Sequence, residues 1–508
     1  MERSVFGAGR ARICAVVATP RAKEFRNLLR RALQETTTVE LRLDWLANDR
    51  ERHEALEWLR KFAPRKATFI ATCRRRRGGG EFAGGAAEEL FWLIRAKEAG
   101  CAWCDLEVET MEELRTDSLR GFGLPPKVML SIHDFRRTPS LPAKLKMTGR
   151  GEFAAVKIAA MSRKLSDSTR LLRLARDTDR VVAVPMGEVG LPGRILALRE
   201  GGALVYAPVA AATAPGQVGL QDLLKLYRAH ELTRQTGVYG VIGDPIEHSL
   251  SPLLHNIGYV SAKKDAVFLP FLVEELGEFL KMLPAFGVKG FSVTLPHKQK
   301  IFRYLDECEP LAEEIGAVNT VTVKKGGKLA GSNTDYVGVF RALQGKIELT
   351  GSRVVIFGAG GAARAAAFAV TKAGAEVLVC ARREKAAKEL ARAVGGGVLR
   401  RSALRKEKFE ALLNATPVGM YPHPASSPLE AGELRCSLVM DLIYRPLETK
   451  LLRIARARGI KTVSGVEMFL AQGIAQWELW MKSKAPERAM RTAVLGKLRN
   501  EETKFRPT

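Results

Sequence analysis

No apolar run in this sequence reaches about 18 residues, the length a membrane-spanning helix needs, so no membrane partner is expected. Cysteine is sparse: seven in 508 residues, an odd number and widely scattered, which excludes a disulfide framework and suits a reducing cytoplasm. Cys101 and Cys104 form a lone CxxC with no second pair at metal spacing, and no metal site is expected. The first ten residues, MERSVFGAGR, are too short and polar for a signal peptide, so a leader is not expected either. Acids are short against bases, 55 to 81, for a net charge of +26. That surplus raises the question of nucleic acid. Aromatic platforms are few at 7%, however, and basic residues interleave with acids along the whole chain. The one dense run, 74–77, abuts three glycines. No nucleic-acid partner is expected, and the field suits small anionic ligands. The sequence carries no sign of its oligomeric state.

What is present is apolar content of 46%, enough for sizeable cores in about three domains' worth of chain. The most informative stretch is VVIFGAGGAARAAAFAVTKAGAEVLVCARR, 354–383. A β-branched run reads as a buried strand, a glycine turn follows, then an alanine-rich helix and a second strand. This is the order of a dinucleotide-binding βαβ unit. Gly358 permits the tight turn, Gly360 admits a pyrophosphate to the backbone, and Ala363 allows close helix–strand packing. Ala359, Gly361 and Ala362 complete the phosphate-facing turn. Where an NAD site carries an acid for the ribose 2′-hydroxyl, this chain has Arg382 and Arg383, which favour a 2′-phosphate and hence NADP.

Residues 10–230 alternate short apolar strands with amphipathic helices. Candidate strands lie at 13–18, 39–43, 68–72, 102–108, 128–132, 154–158, 181–184 and 203–206, with helical patterns such as 51–62 and 86–99 between them. Eight such strands predict a (β/α)8 barrel, with an open doubly wound sheet as the alternative. A barrel places its chemistry at the strands' C-terminal ends. Glu40 and Arg42 end the second candidate strand, Arg74 follows the third, His133 follows the fifth, and Lys157 closes the sixth. The pattern restarts at YGVIG, 239–243. A first α/β lobe over 237–345 precedes the nucleotide lobe, and an apolar helix at 466–481 is expected to return to the first lobe. The expected fold is therefore α/β, an N-terminal barrel followed by a two-lobed dehydrogenase with a Rossmann-type NADP-binding lobe. Its expected boundaries are 1–232, 233–346, 347–464 and 465–508.

Lys157, flanked by apolar Val156 and Ile158, is a candidate Schiff-base former, because desolvation would favour the free amine. His133 can shuttle protons, and Arg194 and Arg42 can meet a carboxylate. Each residue alone is more commonly structural. Together with ELRLD (40–44), TCR (72–74), SIHDF (131–135), VKIA (156–159), MGEVG (186–190) and TAPGQ (213–217), they resemble type I 3-dehydroquinate dehydratase. The resemblance implies that Lys157 forms the imine with the substrate ketone and that His133 is the general acid/base. It also implies that Arg194 holds the carboxylate, while Glu40, Arg42, Arg74, Thr213 and Gln217 position hydroxyls. Three positions depart from the family. Gly78 stands where an acid usually orients the histidine, Gly193 replaces a serine, and Thr213 replaces a serine. Slower dehydration is expected from Gly78, with Glu81 and Glu107 both open as substitutes.

Further on, GDPIEHSLSPLLHN (243–256) sets Ser249 and Ser251 two apart, either gripping a carboxylate or capping a helix. FSVTLPHK (291–298) ends in Lys298, and GSNTD (331–335) offers Asp335, a pair able to move the proton that accompanies a hydride. With IGAVNT, GAGGAARA, NATPVGM, DLIYRP and MFLAQG, these motifs resemble shikimate dehydrogenase over 237–500. The resemblance implies Lys298 and Asp335 as the catalytic pair. It places Ser249, Ser251, Thr294, Asn319, Tyr444 and Gln472 against substrate, and Thr416 and Met468 at the nicotinamide end. Ser292 stands where asparagine is usual, and Ala381 and Arg383 depart from the family's Asn-Arg-Thr. The two resemblances imply successive use of 3-dehydroquinate, 3-dehydroshikimate and shikimate. The alternatives are a reductase with an idle barrel, and a nucleotide sensor without catalysis.

Overall fold

Short β-branched runs dominate the first 210 residues, and in the computed structural model they become eight strands. The structure describes residues 4–62, 64, 66–115, 119, 121–139, 153–176, 180–210 and 214–505. The chain divides into two compact units, Met1–Thr236 with Phe271–Phe286, and Gly237–Pro270 with Gly287–Thr508.

In the first unit the strands are β1 Ile13–Val17, β2 Thr38–Arg42, β3 Thr68–Thr72, β4 Trp103–Glu107, β5 Lys127–Asp134, β6 Ala155–Met161, β7 Val181–Met186 and β8 Val205–Pro208. They are parallel and ordered β7-β6-β5-β4-β3-β2-β1-β8. The ring is nearly closed, with Ala203 N–H donating to the Val181 carbonyl across the seam at 2.9 Å. Amphipathic helices such as Ala22–Leu33 and Leu165–Arg176 bury their apolar faces outside it.

Side chains alternate across each strand, which sorts the barrel interior into levels. Cys14, Val16, Ile70, Trp103, Met129, Ala155, Val182 and Tyr206 form an apolar layer, to which Phe6 adds by stacking on Trp103 at 4.4 Å. Two residues further along β3, β4, β5 and β6, on the same face, come Thr72, Asp105, Ser131 and Lys157. The polar site therefore rests on a dry floor. Val156 and Ile158 face the other way, into a cluster with Leu171 and Ala175. This corrects the expectation that they surround the Lys157 amine. Nor does Lys157 close its strand: β6 runs on to Met161, and β5 runs past His133 to Asp134.

The second unit holds two sheets. Strands β9 Gly237–Gly243, β10 Ala266–Leu272, β11 Val288–Val293, β12 Glu307–Cys308, β13 Thr320–Val323 and β14 Leu329–Ser332 are ordered β10-β9-β11-β13-β14-β12. Strands β15 Arg353–Phe357, β16 Glu376–Cys380, β17 Gly397–Val398, β18 Ala411–Asn414, β19 Leu438–Asp441 and β20 Lys461–Ser464 are all parallel, ordered β17-β16-β15-β18-β19-β20. The order reverses at β15, so the glycine turn that follows it lies at the switch point, where ligands of such sheets bind. The helix Gly465–Met481 returns to the first sheet. A Cβ at Gly258 would lie 2.9 Å from Trp477, and one at Gly290 would lie 2.6 Å from Trp480, so these glycines let the helix approach. Among the described residues no helix is long and apolar enough to cross a membrane.

Candidate active sites

Lys157 projects into the barrel from β6. Its Nζ donates to Asp105 Oδ2 at 2.7 Å and to Glu40 Oε1 at 3.5 Å, and it lies 4.2 Å from the centre of the Tyr206 ring. Asp105 is itself held, accepting from Ser131 Oγ at 2.6 Å and from Arg74 Nη2 at 3.0 Å. Burial alone would raise the Asp105 pKa, but Lys157 and Arg74 outweigh it and hold the carboxyl well below its usual range. Glu40 accepts from Thr72 Oγ1 at 2.9 Å.

His133 stands two residues beyond Ser131 on β5. Burial, reinforced by Arg74 and Lys157, pushes its pKa well below the usual value, so the imidazole is held in its neutral form. Arg42 makes a two-pronged contact with Asp44 at 2.9 and 2.7 Å, so its charge is partnered rather than free. Arg194, on the helix Leu191–Leu196, donates to the carbonyls of Pro185 and Pro215 at 3.1 and 3.2 Å. Its buried Nη1 has no partner among the described residues. Gly193 precedes it because a Cβ there would sit 2.9 Å from Ser168 Cβ. Gln217 Oε1 accepts from Ala214 N at 3.3 Å, while Thr213 lies outside the described residues.

In the second unit Lys298 Nζ donates to Asp335 Oδ2 at 2.5 Å. Lys298 follows β11, and its carbonyl accepts from Val318 N–H at 2.8 Å. Asp335 lies in the first turn of the helix Thr334–Leu343, capped by Asn333. Asn319 Nδ2 donates to Asp335 Oδ1 and to Thr334 Oγ1, both at 2.9 Å, which fixes the carboxylate. Ser249 Oγ accepts from Ser251 N–H at 3.3 Å, so the second serine opens the helix Ser251–Ser261 and the first closes the turn just ahead of its N-cap, Leu250. Thr294 N–H bonds the Ile242 carbonyl at 3.0 Å. Tyr444 stacks on Phe469 at 4.5 Å, and Gln472 Nε2 donates to the Phe469 carbonyl at 2.9 Å. A Cβ at Gly338 would lie 2.8 Å from the Met468 carbonyl, so Met468 abuts the helix that carries Asp335. Thr416 Oγ1 donates to Asn414 Oδ1 at 2.7 Å, at the end of β18.

After β15, Gly358 adopts φ +124° with a would-be Cβ 3.1 Å from the Ala415 carbonyl oxygen, a conformation closed to other residues. A Cβ at Gly360 would meet no described atom within 4 Å. Gly360 also caps the helix Gly361–Lys372 without a side chain, leaving the first N–H groups open. Lys298 Cδ lies 3.3 Å from the Cβ position of Gly361, so the lysine–aspartate pair adjoins this turn.

Comparison with known proteins matches this architecture part by part. The type I 3-dehydroquinase model covers residues 13–234. The shikimate dehydrogenase substrate binding domain covers 241–321, and the shikimate 5'-dehydrogenase C-terminal domain covers 465–495. A chloroplastic bifunctional 3-dehydroquinate dehydratase/shikimate dehydrogenase of Arabidopsis thaliana is 35% identical over 88% of this chain and 78% of its own length. The chain belongs to this bifunctional dehydratase/dehydrogenase family. A shikimate dehydrogenase (NADP(+)) of Bacillus cytotoxicus is 42% identical over 51% of this chain and 98% of its own. A crystal structure of a shikimate dehydrogenase in complex with NADP+ is 35% identical with TM-score 0.50, covering 52% of this chain and 97% of that one.

The dehydrogenase relatives carry NADP(+) in their names, and the residues present in this chain suit that cofactor. The open space at Gly360 and the helix start without a side-chain cap form an anion cradle that no side chain among the described residues fills. Arg382 and Arg383 are exposed just beyond β16, with Arg383 capping the next helix, Glu384–Ala393. Asp105 and Tyr206, which meet the Lys157 amine, and Ser131 and Thr72, which brace the carboxylates beside it, were not anticipated from the sequence. The signal for Asp105 was an acid amid CAWCDLEVE, a stretch otherwise reading as a buried strand. Burial keeps the nearby CxxC inert as a nucleophile, with the Cys101 thiol pushed up to about 12.

Proposed function

We propose that this family member performs both reactions in succession, dehydrating 3-dehydroquinate to 3-dehydroshikimate in the barrel and reducing that product to shikimate with NADPH in the second unit. The observation that carries the reading is the presence, in one chain, of a buried lysine ringed by carboxylates and of a lysine–aspartate pair at a dinucleotide turn. In the barrel Lys157 Nζ adds to the ketone and expels water, leaving an iminium whose charge faces Asp105 and Glu40. Neutral His133 takes the proton from the carbon beside the iminium and passes one to the departing hydroxyl. Hydrolysis of the imine then frees Lys157, for a net loss of one water. The unpartnered Nη1 of Arg194 is available to the substrate carboxylate. Glu40, Arg42, Arg74, Thr213 and Gln217 hold its hydroxyls.

Bound NADPH supplies the hydride for the second reaction. Lys298, supported by Asp335, gives the carbonyl oxygen its proton. Ser249 and Ser251 take the carboxylate, and Thr294, Asn319, Tyr444 and Gln472 fix the ring. Thr416 and Met468 border the nicotinamide, and Arg382 and Arg383 meet the 2′-phosphate. The working boundaries are 1–232 for the barrel, 233–346 and 465–508 for the substrate lobe, and 347–464 for the nucleotide lobe. Seven free cysteines among the described residues fit a cytoplasmic setting. The test supplies the purified chain with 3-dehydroquinate and NADPH. Shikimate should accumulate as NADPH is consumed, and borohydride should fix substrate mass onto Lys157. Consumption that begins only when 3-dehydroshikimate is added would leave the barrel without activity.

A further inference from the structure

The family's orienting acid is missing at Gly78, yet the space it would use is not empty. A Cβ built on Gly78 would fall 2.0 Å from Glu107 Oε1 and 2.4 Å from Oε2. The Glu107 carboxylate therefore occupies the volume in which any side chain at 78 would begin. It reaches there from β4, where alternation carries it inward two residues beyond Asp105. Its Oε1 lies 3.7 Å from His133 Nδ1 and 3.4 Å from Arg74 Nε, and Glu107 is only 2% exposed. Among the described residues neither ring nitrogen of His133 and neither oxygen of Glu107 has a hydrogen-bond partner, so the carboxylate lies between Arg74 and His133 with its acceptor capacity unspent. Glu81, the other acid left open by the sequence, is exposed; its backbone N–H is tied to Asp44 Oδ2 at 3.2 Å.

The loop that carries Gly78 is itself fixed. Arg75 binds Glu89 at 3.0 Å, Thr110 at 2.7 Å and Glu113 at 2.8 Å. Gly79, at φ +79°, has Phe135 of the HDF segment 2.4 Å from its Cβ position. The loop has little room to withdraw from a new side chain. We infer that Glu107 is the positioning residue for His133 in this chain, and that Gly78 is the vacancy that admits its carboxylate. This rests on His133 being the acid/base of the barrel. Burial lifts the Glu107 pKa to about 6 against the opposing pull of Arg74, so the carboxylate is ionised at neutral pH and able to orient an N–H.

The test compares Glu107→Gln, Glu107→Gly, Gly78→Glu and the exchange Gly78→Glu/Glu107→Gly, each confirmed folded by circular dichroism. Glu107→Gln should lower the dehydration kcat at least about tenfold with KM little changed. His133 is faced by Asp105 and Glu107 from β4, Arg74 from the loop after β3, Lys157 from β6 and Arg42 from β2. Removing one of the two anions should move the limb assigned to His133 to lower pH. Gly78→Glu alone should also slow the enzyme, because two carboxylates compete for one volume. The exchange should recover much of what Glu107→Gly loses. Borohydride trapping on Lys157 separates the two possible failures. Loss of trapping in the unmodified chain would remove the dehydratase reading itself. Trapping intact with kcat and pH profile unchanged in Glu107→Gln, or a faster Gly78→Glu, would overturn the inference alone.

Discussion

In the proposed reactions Lys157 and Lys298 do different work with one functional group, and their surroundings differ accordingly. The Lys157 side chain is 6% exposed and meets carboxylates from β2 and β4 and a ring from β8. The Lys298 side chain is 16% exposed and meets one carboxylate, leaving its remaining directions toward the nucleotide turn. A residue that becomes covalently attached to substrate must be held while its charge migrates through iminium and back, so it is enclosed by fixed anions on rigid strands. A residue that only passes a proton needs one partner and an open side. On the proposed reading, enclosure separates the nucleophile from the proton donor better than residue identity does.

The sharpest way to break that contrast is to remove each amine. Lys157→Met should abolish dehydration and borohydride trapping, a loss of at least about a thousandfold, with NADPH-dependent reduction of 3-dehydroshikimate unaltered. Trapping that persists on another lysine would show that enclosure did not mark the nucleophile. Lys298→Met and Asp335→Asn should each lower reduction by roughly 10²–10⁴-fold while leaving dehydration intact. Steady-state rates for the two half-reactions, measured separately on each variant, decide the matter. A proton-donor variant with unchanged kcat would place the proton elsewhere.

Most of the fold was legible because buried parallel strands are continuous β-branched runs, and β3 begins and ends where that pattern does. The nucleotide turn was legible because Gly358 and Gly360 are constrained by backbone geometry that shows directly in residue type. The surroundings of Lys157 were less so. Its sequence neighbours Val156 and Ile158 point away, and its true neighbours Asp105 and Glu40 are distant in sequence and adjacent only once the barrel is ordered. The Glu107–Gly78 relation was hidden for the same reason, since only coordinates show a carboxylate in a missing side chain's volume. Arg42 read as a free charge because its bond to Asp44 depends on the short turn after β2.

Cofactor choice tests the comparison at the rim rather than at the centre. Arg382 and Arg383 are exposed, so their contribution to a 2′-phosphate is screened and modest next to the buried groups. Charge-assisted bonds of about 1.5–3 kcal/mol correspond to roughly ten- to a hundredfold preference for NADPH over NADH. Arg382→Ala/Arg383→Ala should erase most of it through KM for NADPH, leaving the rate with saturating NADH unchanged. An unaltered ratio of kcat/KM for the two cofactors would assign the phosphate to other residues.

The smallest expected effect concerns a second pair, the buried histidines. His133 is surrounded by charges, whereas His255 stacks on Phe268 at 4.3 Å and meets only the Gln476 amide, at 3.3 Å. Burial lowers the His255 pKa to about 3, well below the ordinary imidazole value of about 6.5, with the Gln476 bond opposing. The folded state therefore keeps this ring neutral where the unfolded chain takes up a proton. Stability is unaffected above the unfolded value and is lost as pH falls below about 6.5, by roughly 1.4 kcal/mol at about pH 5.5. His255→Leu should remove that loss, shifting the midpoint of reductase heat inactivation by a few degrees less between neutral and mildly acidic pH. Gln476 should hold its place in the variant, since Ser292 and Thr320 still bond it at 2.9 and 3.0 Å, so the reductase kcat at neutral pH should not change. Equal acid sensitivity in parent and variant would mean that His255 is not the proton acceptor that distinguishes the unfolded state, and that another buried group, such as His133 with its lowered pKa, dominates the acid limb of the whole chain.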